Sequence, residues 1–341
     1  MGQLSDTGRN RVAEFLAATA ALHGAPAPVG GDLKFSVSPS VLQTLQELMV
    51  LDGSGFLQQI NVMSVPEMKG ERLFMDADKL VTGRTNTATT DRAPSDPTTL
   101  NNSAYELFAT EVEVAIKYSV IDAWAKFPTF SALWNAVVRK AIANDRVKVG
   151  WNGTSAATAT NKVSNPLGQD VNKGWLQIVR EYDSGAQYVN GTGTVTLGSA
   201  TYPNLDYLVS VARTRIPEVY RYSPDLVSII GSDLAAAEEH SFFKEAGRKP
   251  IEKRDLLESN GRLTRNYGGL DSWVIPFFPP NAVFVTSFKN LSIYYQDTSW
   301  RRTIMDYPKR NQYEDFSSRN EGYVVEDERK TSLVDNISIA P

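Results

Sequence analysis

Any chemistry in this chain would have to come from carboxylates, arginines and lysines, because the 341 residues hold no cysteine and only two histidines. The absence of cysteine excludes disulfides, thiolate nucleophiles and Cys-ligated zinc. His23 lies in a segment rich in Pro and Gly. His240 follows Glu238-Glu239 near a predicted helix end, where an imidazolium meets the negative pole of the helix dipole. A Ser-His-Asp site built on His240 has no marked nucleophile beside it. Carboxylates cluster at Glu326-Asp327-Glu328 and pair at Glu111 and Glu113. Two acids can divide acid and base roles when burial separates their pKa values. With Arg329 and Lys330 adjacent, the first cluster reads instead as a solvated or intersubunit face. Asp76-x-Asp78 has oxygen ligands for a hard cation but no further ligand pattern. Arg301-Arg302 and Lys309-Arg310 could touch phosphates, yet Asp306, Glu314 and Asp315 beside them suggest ion pairs within or between subunits. The Gly191-x-Gly193 pair fails the dinucleotide pattern because Thr196 stands at the third glycine position. Walker loops, HExxH, GxSxG and EF-hand sequences are absent. The reading is no enzyme, no catalytic residue, no metal and no cofactor.

The composition agrees with a folded, structural chain. The apolar fraction is 42% and the charged fraction 22%, ordinary for a globular protein. Lys+Arg 35 against Asp+Glu 39 gives a net charge of −4. Tight sequence-independent binding to nucleic acid needs a basic surface, so only weak contact with DNA is expected. No run of eighteen apolar residues exists, so no membrane span is expected. The N-terminal sequence lacks the apolar stretch of a secretory signal.

The elements that must position these residues follow from periodicity. Residues 5–22 predict an amphipathic helix bearing Val12, Phe15, Leu16 and Ala20 on one side. A Pro/Gly-rich linker over 23–32 makes it a tethered arm. A second short helix covers 40–49, and 56–65 reads as extended. Residues 69–103 are polar, full of Thr, Asp and Gly, and cannot bury a core. Residues 105–120 return as a strand with Val112, Val114, Ile116 and Tyr118 on one face and Glu111, Glu113 and Lys117 on the other. Strand, polar excursion and returning strand describe a long two-stranded arm. The longest helical pattern spans 130–149, with Trp134, Val137, Val138, Ala141 and Ile142 forming the apolar stripe and Arg146 mainly off it. That stripe is expected to pack on the C-terminal strands. Helices at 170–182, 205–215 and 232–239, with Ser232 as N-cap, surround a short strand at 226–230. A hairpin turn is predicted at Asn190-Gly191. Strands follow at 272–275, 282–286, 291–295, 323–326 and 333–339. The fold class is α+β.

Five segments carry a further signal, in this order: KFSVSPSVLQTL (34–45), NVMSVPEMKGERL (61–73), DVNKGWLQ (170–177), PDLVSIIG (224–231) and the aromatic, charged run 290–327. Together they resemble the major capsid proteins of peduovirus-type (P-two-like) contractile-tailed bacteriophages. The resemblance implies the capsid fold shared by tailed phages and herpesviruses, the HK-ninety-seven type. Its parts map to an N-terminal arm and linker (1–55) and an extended loop (56–110). A peripheral domain with a long spine helix (111–168 and 288–341) and an axial domain (169–287) complete it. The implied function is mechanical: pentamers and hexamers of one chain close into an icosahedral head around double-stranded DNA. Implied partners are a scaffolding/protease protein, the portal and weakly held DNA, with no membrane. The implied place is the virion, assembled in the host bacterial cytoplasm. By position, a processing point would lie at Phe35 and Ser36. The competing readings are another phage component, of tail or head completion, and a carboxylate-based hydrolase.

Overall fold

The computed structural model describes residues 4–23, 26, 28, 32–36, 39–52, 55–76, 82–89, 91–92, 99–127, 129–189, 193–244, 262–263 and 266–340. The chain runs through helix α1 (Asp6–His23), strand β1 (Leu33–Ser36), helix α2 (Pro39–Asp52) and strand β2 (Asn61–Val65). Strands β3 (Lys69–Asp76) and β4 (Thr99–Glu106) precede β5 (Phe108–Lys117), helix α3 (Tyr118–Trp124) and helix α4 (Phe130–Asn152). A second group holds α5 (Trp175–Glu181), β6 (Val195–Leu197), α6 (Leu205–Arg215) and α7 (Glu218–Arg221). It continues with β7 (Val227–Ile230), α8 (Ser232–Lys244), β8 (Asp271–Trp273) and β9 (Val283–Thr286). The C-terminal part is β10 (Leu291–Gln296), β11 (Arg301–Tyr307), β12 (Gln312–Val325), β13 (Ser332–Val334) and β14 (Ile337–Ile339).

A six-stranded sheet runs β1-β11-β12-β10-β2, with β5 also paired to β12. Along β5 burial alternates strictly: Val112, Val114 and Ile116 turn inward, while Glu111, Glu113 and Lys117 face out. A four-stranded sheet runs β13-β9-β7-β8, β14 lies parallel to β6, and β3 pairs with β4. The polar run 301–320, which carries no apolar alternation, forms β11 and most of the fourteen-residue β12, the strand to which β5, β10 and β11 all bond. Leu333–Ile339 is not one strand, because Asn336 turns through φ +53 between β13 and β14. The predicted turn at Asn190-Gly191 lies outside the described residues; β6, just beyond it, pairs with the distant β14 rather than in a local hairpin.

The main core centres on two tryptophans. The rings of Trp151 and Trp175 lie 4.9 Å apart, with Phe56 and Phe278 each 5.1 Å from Trp151 and Tyr323 5.3 Å from Trp175. Most of these pairs meet edge-to-face, the arrangement aromatic quadrupoles favour. The Trp175 indole N–H donates to the Ser292 carbonyl at 3.0 Å. Gly150 lets α4 approach: a Cβ there would sit 2.3 Å from the Trp175 ring. In a second core, Leu205, Leu208, Val209 and Ala212 of α6 pack with Val283, Val285 and Ile337. Asn204 caps α6 by accepting the Tyr207 N–H at 2.8 Å, and Pro217 follows the helix.

Several expectations move. The strand expected to reach residue 120 stops at Lys117, and Tyr118 opens α3. The helix expected over 170–182 occupies only α5. Helix α8 continues past residue 239 to Lys244, and the Ser232 hydroxyl turns to Asp233 instead of capping. The stripe assigned to α4 is displaced. Val137 is 62% exposed and Trp134 only half-buried, whereas Ala143, Val147 and Trp151 are fully buried at i, i+4, i+8. The C-terminal half of α4 packs into the core that holds α5, whereas Val138 in the N-terminal half packs only partly buried against the Trp300–Ile304 cluster. The N-terminal helix is docked, not merely tethered. Leu16 and Ala20 share a cluster with Leu33, Phe35, Trp300 and Ile304, and Ser5 donates to Asp122. Its apolar stripe finds a partner in the inward face of the large sheet.

Truncating a fully buried Trp costs roughly 3–5 kcal/mol. Trp175→Ala should show that loss in urea unfolding, while Val137→Ala should stay within about 0.5 kcal/mol. Equal effects of the two substitutions would place the core wrongly.

Candidate assembly surfaces and a buried charge cluster

Glu321 is the most deeply held carboxylate of the large sheet. Arg319 and Glu321 point to the same face of β12, two residues apart. The Arg319 Nε and Nη2 groups donate to the Glu321 carboxylate at 2.6 and 3.1 Å. From α4, Arg146 donates through Nε at 3.0 Å, with its Nη2 2.9 Å from the same oxygen. Arg146 Nη1 donates to Gln46 Oε1 of α2 at 2.6 Å, and Asn172 donates to the Glu321 carbonyl at 3.0 Å. The Arg319 guanidinium also lies over the Trp300 ring at 5.3 Å. Burial alone would raise the Glu321 pKa, but Arg319 and Arg146 overcome it and hold the group at about 2. Burial in turn lowers the pKa of Arg146 against the pull of Glu321. The cluster escaped the sequence reading, which left Arg146 off the stripe. Its signal was the i, i+4 step from Ile142 onto the buried side.

A cleft of about 290 Å³ borders this cluster, lined by Glu111, Glu113, Asp145, Arg146, Arg319 and Glu321 among others. Glu111, Glu113 and Asp145 are exposed there. The deep carboxylate, Glu321, is driven toward its ionised form, the opposite of what a general acid requires.

The sequence-predicted residues are not brought together. Glu326, Asp327 and Glu328 diverge. Glu326 accepts from Tyr294 at 2.9 Å and from Ser292, and Asp327 binds Arg329. Glu328 binds Arg72 at 3.1 Å. The three carboxylates are therefore part-buried and bonded within the subunit, Glu326 to hydroxyls and the other two to arginines, not freely solvated. Arg302 holds Asp315 through two nitrogens at 2.6 to 3.2 Å, as the nearby acids suggested, while Arg301 is exposed. Lys309 and Arg310 lie on an exposed turn, Arg310 over the Tyr307 ring. His240 is exposed and one turn short of the end of α8. The side chains of His23, Asp76 and Asp78 fall outside the described residues. Among those described, no group of three or more His, Cys, Asp or Glu residues could hold a metal ion, and no helix is long and apolar enough to cross a membrane. Phe35 is buried in β1, where Phe35 and Ser36 pair with Arg302 and Arg301 of β11.

Two features face outward. The hairpin β3–β4 pairs along eight residues, Lys69 with Glu106 through Asp76 with Thr99, and residues 82–89 beyond it are exposed. On α3, α4 and the turn between them, Trp124, Phe127, Leu133 and Val137 are 43 to 62% exposed. Single exposed apolar residues are ordinary, but four on neighbouring turns suit contact with other molecules.

The chain matches the family described as phage major capsid protein, P2 family, over residues 12–337. It is 34% identical over 342 residues to the capsid proteins of Escherichia phage P2, covering 95% of this chain and 93% of that one. It is 31% identical to the major capsid protein of Serratia phage KSP20, covering 92% of each. A solved chain of the satellite phage P4 procapsid, a structure that includes the size determination (Sid) protein, superposes with a TM-score of 0.75 at 34% identity. That match covers 90% of this chain and 94% of the other.

Glu321→Gln should cost about 3–5 kcal/mol in urea unfolding, because it leaves two guanidiniums buried without a counter-charge. The folded pKa of Glu321, about 2, lies below its ordinary 4.5. Its contribution is complete above pH 4.5 and is lost as pH falls through that value toward 2. Wild-type stability should therefore fall more steeply across that window than that of Glu321→Gln; parallel curves would show that the cluster is solvated.

Proposed function

The chain belongs to the P2 family of phage major capsid proteins, and from that premise we propose how its elements divide the work of building a shell. Its function is structural, as a major capsid protein of the virion that forms an icosahedral capsid. Subunits would group as pentamers and hexamers around double-stranded DNA in the host bacterial cytoplasm, with a scaffolding/protease protein and the portal as partners. Residues 111–168 and 288–341 would form the peripheral domain around α4, and 169–287 the axial domain. Strands β13 and β14 tie the two together through β9 and β6. We read the chain as non-enzymatic, since each carboxylate of the 326–328 run is engaged by a structural partner.

The observation that carries this reading is the β3–β4 hairpin. Residues 82–89 beyond the hairpin are polar and exposed in the subunit, so any burial of that loop would come from elsewhere. Packing on a neighbouring subunit supplies that burial, and many modest contacts of this kind add up around a closed shell. Trp124, Phe127, Leu133 and Val137 would be covered in the same way.

Processing between Phe35 and Ser36 would remove α1. Both residues are hydrogen-bonded into the large sheet through β1. A protease needs an extended, unpaired strand, so β1 must first peel from β11. Folded, isolated subunits should resist cut at this bond under protease conditions that cleave the urea-unfolded chain; equal rates would show that β1 is no barrier.

Deleting residues 83–98 tests the main reading. The subunit should keep its circular dichroism spectrum and melting temperature, while electron microscopy finds no closed shells in the presence of the scaffold. Normal shells from the deleted chain would sink it.

A further inference from the structure

Midway along the paired strands, the fourth of eight pairs from the Lys69–Glu106 base, one arginine joins the hairpin to the body. Arg72 sits on β3 opposite Ser103 of β4, and its side chain is 9% exposed. Its guanidinium forks. Nη1 donates to the backbone carbonyls of Val325 and Glu326, the latter at 3.1 Å. Nη2 donates to Ser103 at 2.6 Å and to Glu328 at 3.1 Å, and the Ser103 hydroxyl donates to the same Glu328 oxygen at 3.1 Å. Glu326 Oε2 lies 3.7 Å from Nη1 and accepts from Tyr294 at 3.1 Å, while Oε1 accepts from Ser292. Beside it the Tyr105 ring of β4 meets Tyr294 edge-on at 5.2 Å. The Leu107 N–H, just past the hairpin, donates to the Met68 carbonyl at 2.8 Å and closes its base.

These contacts join both hairpin strands to the end of β12, the strand anchored by Glu321. A guanidinium is suited to the task. It is planar, always charged and donates along several fixed directions, so it constrains angle as well as distance. A lysine ammonium or an apolar contact would leave the hairpin free to pivot. By contrast, the Lys69–Glu106 pair at the hairpin base is 71% and 44% exposed, and solvent screens it.

We propose that Arg72 is a positioning residue for assembly: it locks the angle at which the hairpin leaves its own subunit, and so presents it to a second copy of this chain in one orientation. This rests on the reading of the hairpin as an intersubunit arm. A launch angle fixed before assembly reduces the conformational entropy lost when the arm docks. A few degrees at Arg72 become a large displacement at the far end of a long hairpin.

The chain has no cysteine, so a pair of spin labels can be introduced without background. Labels at Thr87→Cys, beyond the hairpin, and at Val163→Cys, on the body and 91% exposed, report the angle in unassembled subunits by pulsed electron resonance. Arg72→Met should lower the melting temperature and, in the protein that remains folded, broaden the distance distribution about twofold. Glu328→Gln, which weakens the same fork from the body side, should broaden it in the same direction but less. Lys69→Met should leave it unchanged. An unaltered distribution in folded Arg72→Met protein would overturn the proposal, and so would equal broadening by Lys69→Met. If Arg72→Met does not fold, Glu328→Gln decides by the same criterion. The loop deletion tests whether the hairpin serves a neighbour at all, so the two ideas fail separately.

Discussion

The structure depends on how a buried carboxylate is kept charged. Glu321 sits where burial opposes its ionisation, and two guanidiniums from different elements reverse that balance. The arrangement is costly to break and highly directional, because a charge removed from water tolerates few alternatives to its partner. It also sets register. A slip of one residue along β12 would turn Glu321 and Arg319 to the opposite face and strand Arg146 inside the protein. Since β5, β10 and β11 all bond to β12, fixing that strand fixes the sheet.

Around this anchor the chain divides into a dense body and appendages. The body is closed by aromatic rings in mutual contact, with α4 drawn onto Trp175 at Gly150. Such a core is stiff, since close-packed rings transmit displacement instead of absorbing it. The appendages are built on other terms. Helix α1 covers the inward face of the sheet with a modest apolar stripe, and the hairpin offers mainly polar residues. Helix α1 is already buried against its own subunit, whereas the burial proposed for the hairpin would be completed by another copy.

Chemistry that looked available in the sequence is spent on this architecture. The acid run at 326–328 divides among Tyr294, Arg329 and Arg72, three partners from different parts of the chain. Asp315 is taken by Arg302, and Asp306 accepts the Tyr118 hydroxyl. Each acid of the 326–328 run has its own partners: hydroxyls of Ser292 and Tyr294 for Glu326, Arg329 for Asp327 and Arg72 for Glu328.

The sequence by itself determined what is local. It placed α6 to the residue, stopped by Pro217, and it showed β5 in the alternation from Val112 to Ile116. It also showed the polar excursion after Lys69, and collinear motifs identified the family. It did not reveal that the polar run 301–320 is the middle of the main sheet. Strands there are satisfied by cross-strand ion pairs such as Arg302–Asp315, which leave no hydrophobic period to read. Nor did it show which half of α4 is buried, because apolar residues occur along the whole helix. Only the packing of α4 into the core that holds α5 selects Ala143, Val147 and Trp151 and leaves Val137 outside. The fork of Arg72 was invisible for the same reason. Its partners on the body, Val325, Glu326 and Glu328, lie more than two hundred residues away in sequence, and only the folded chain brings them within bonding distance.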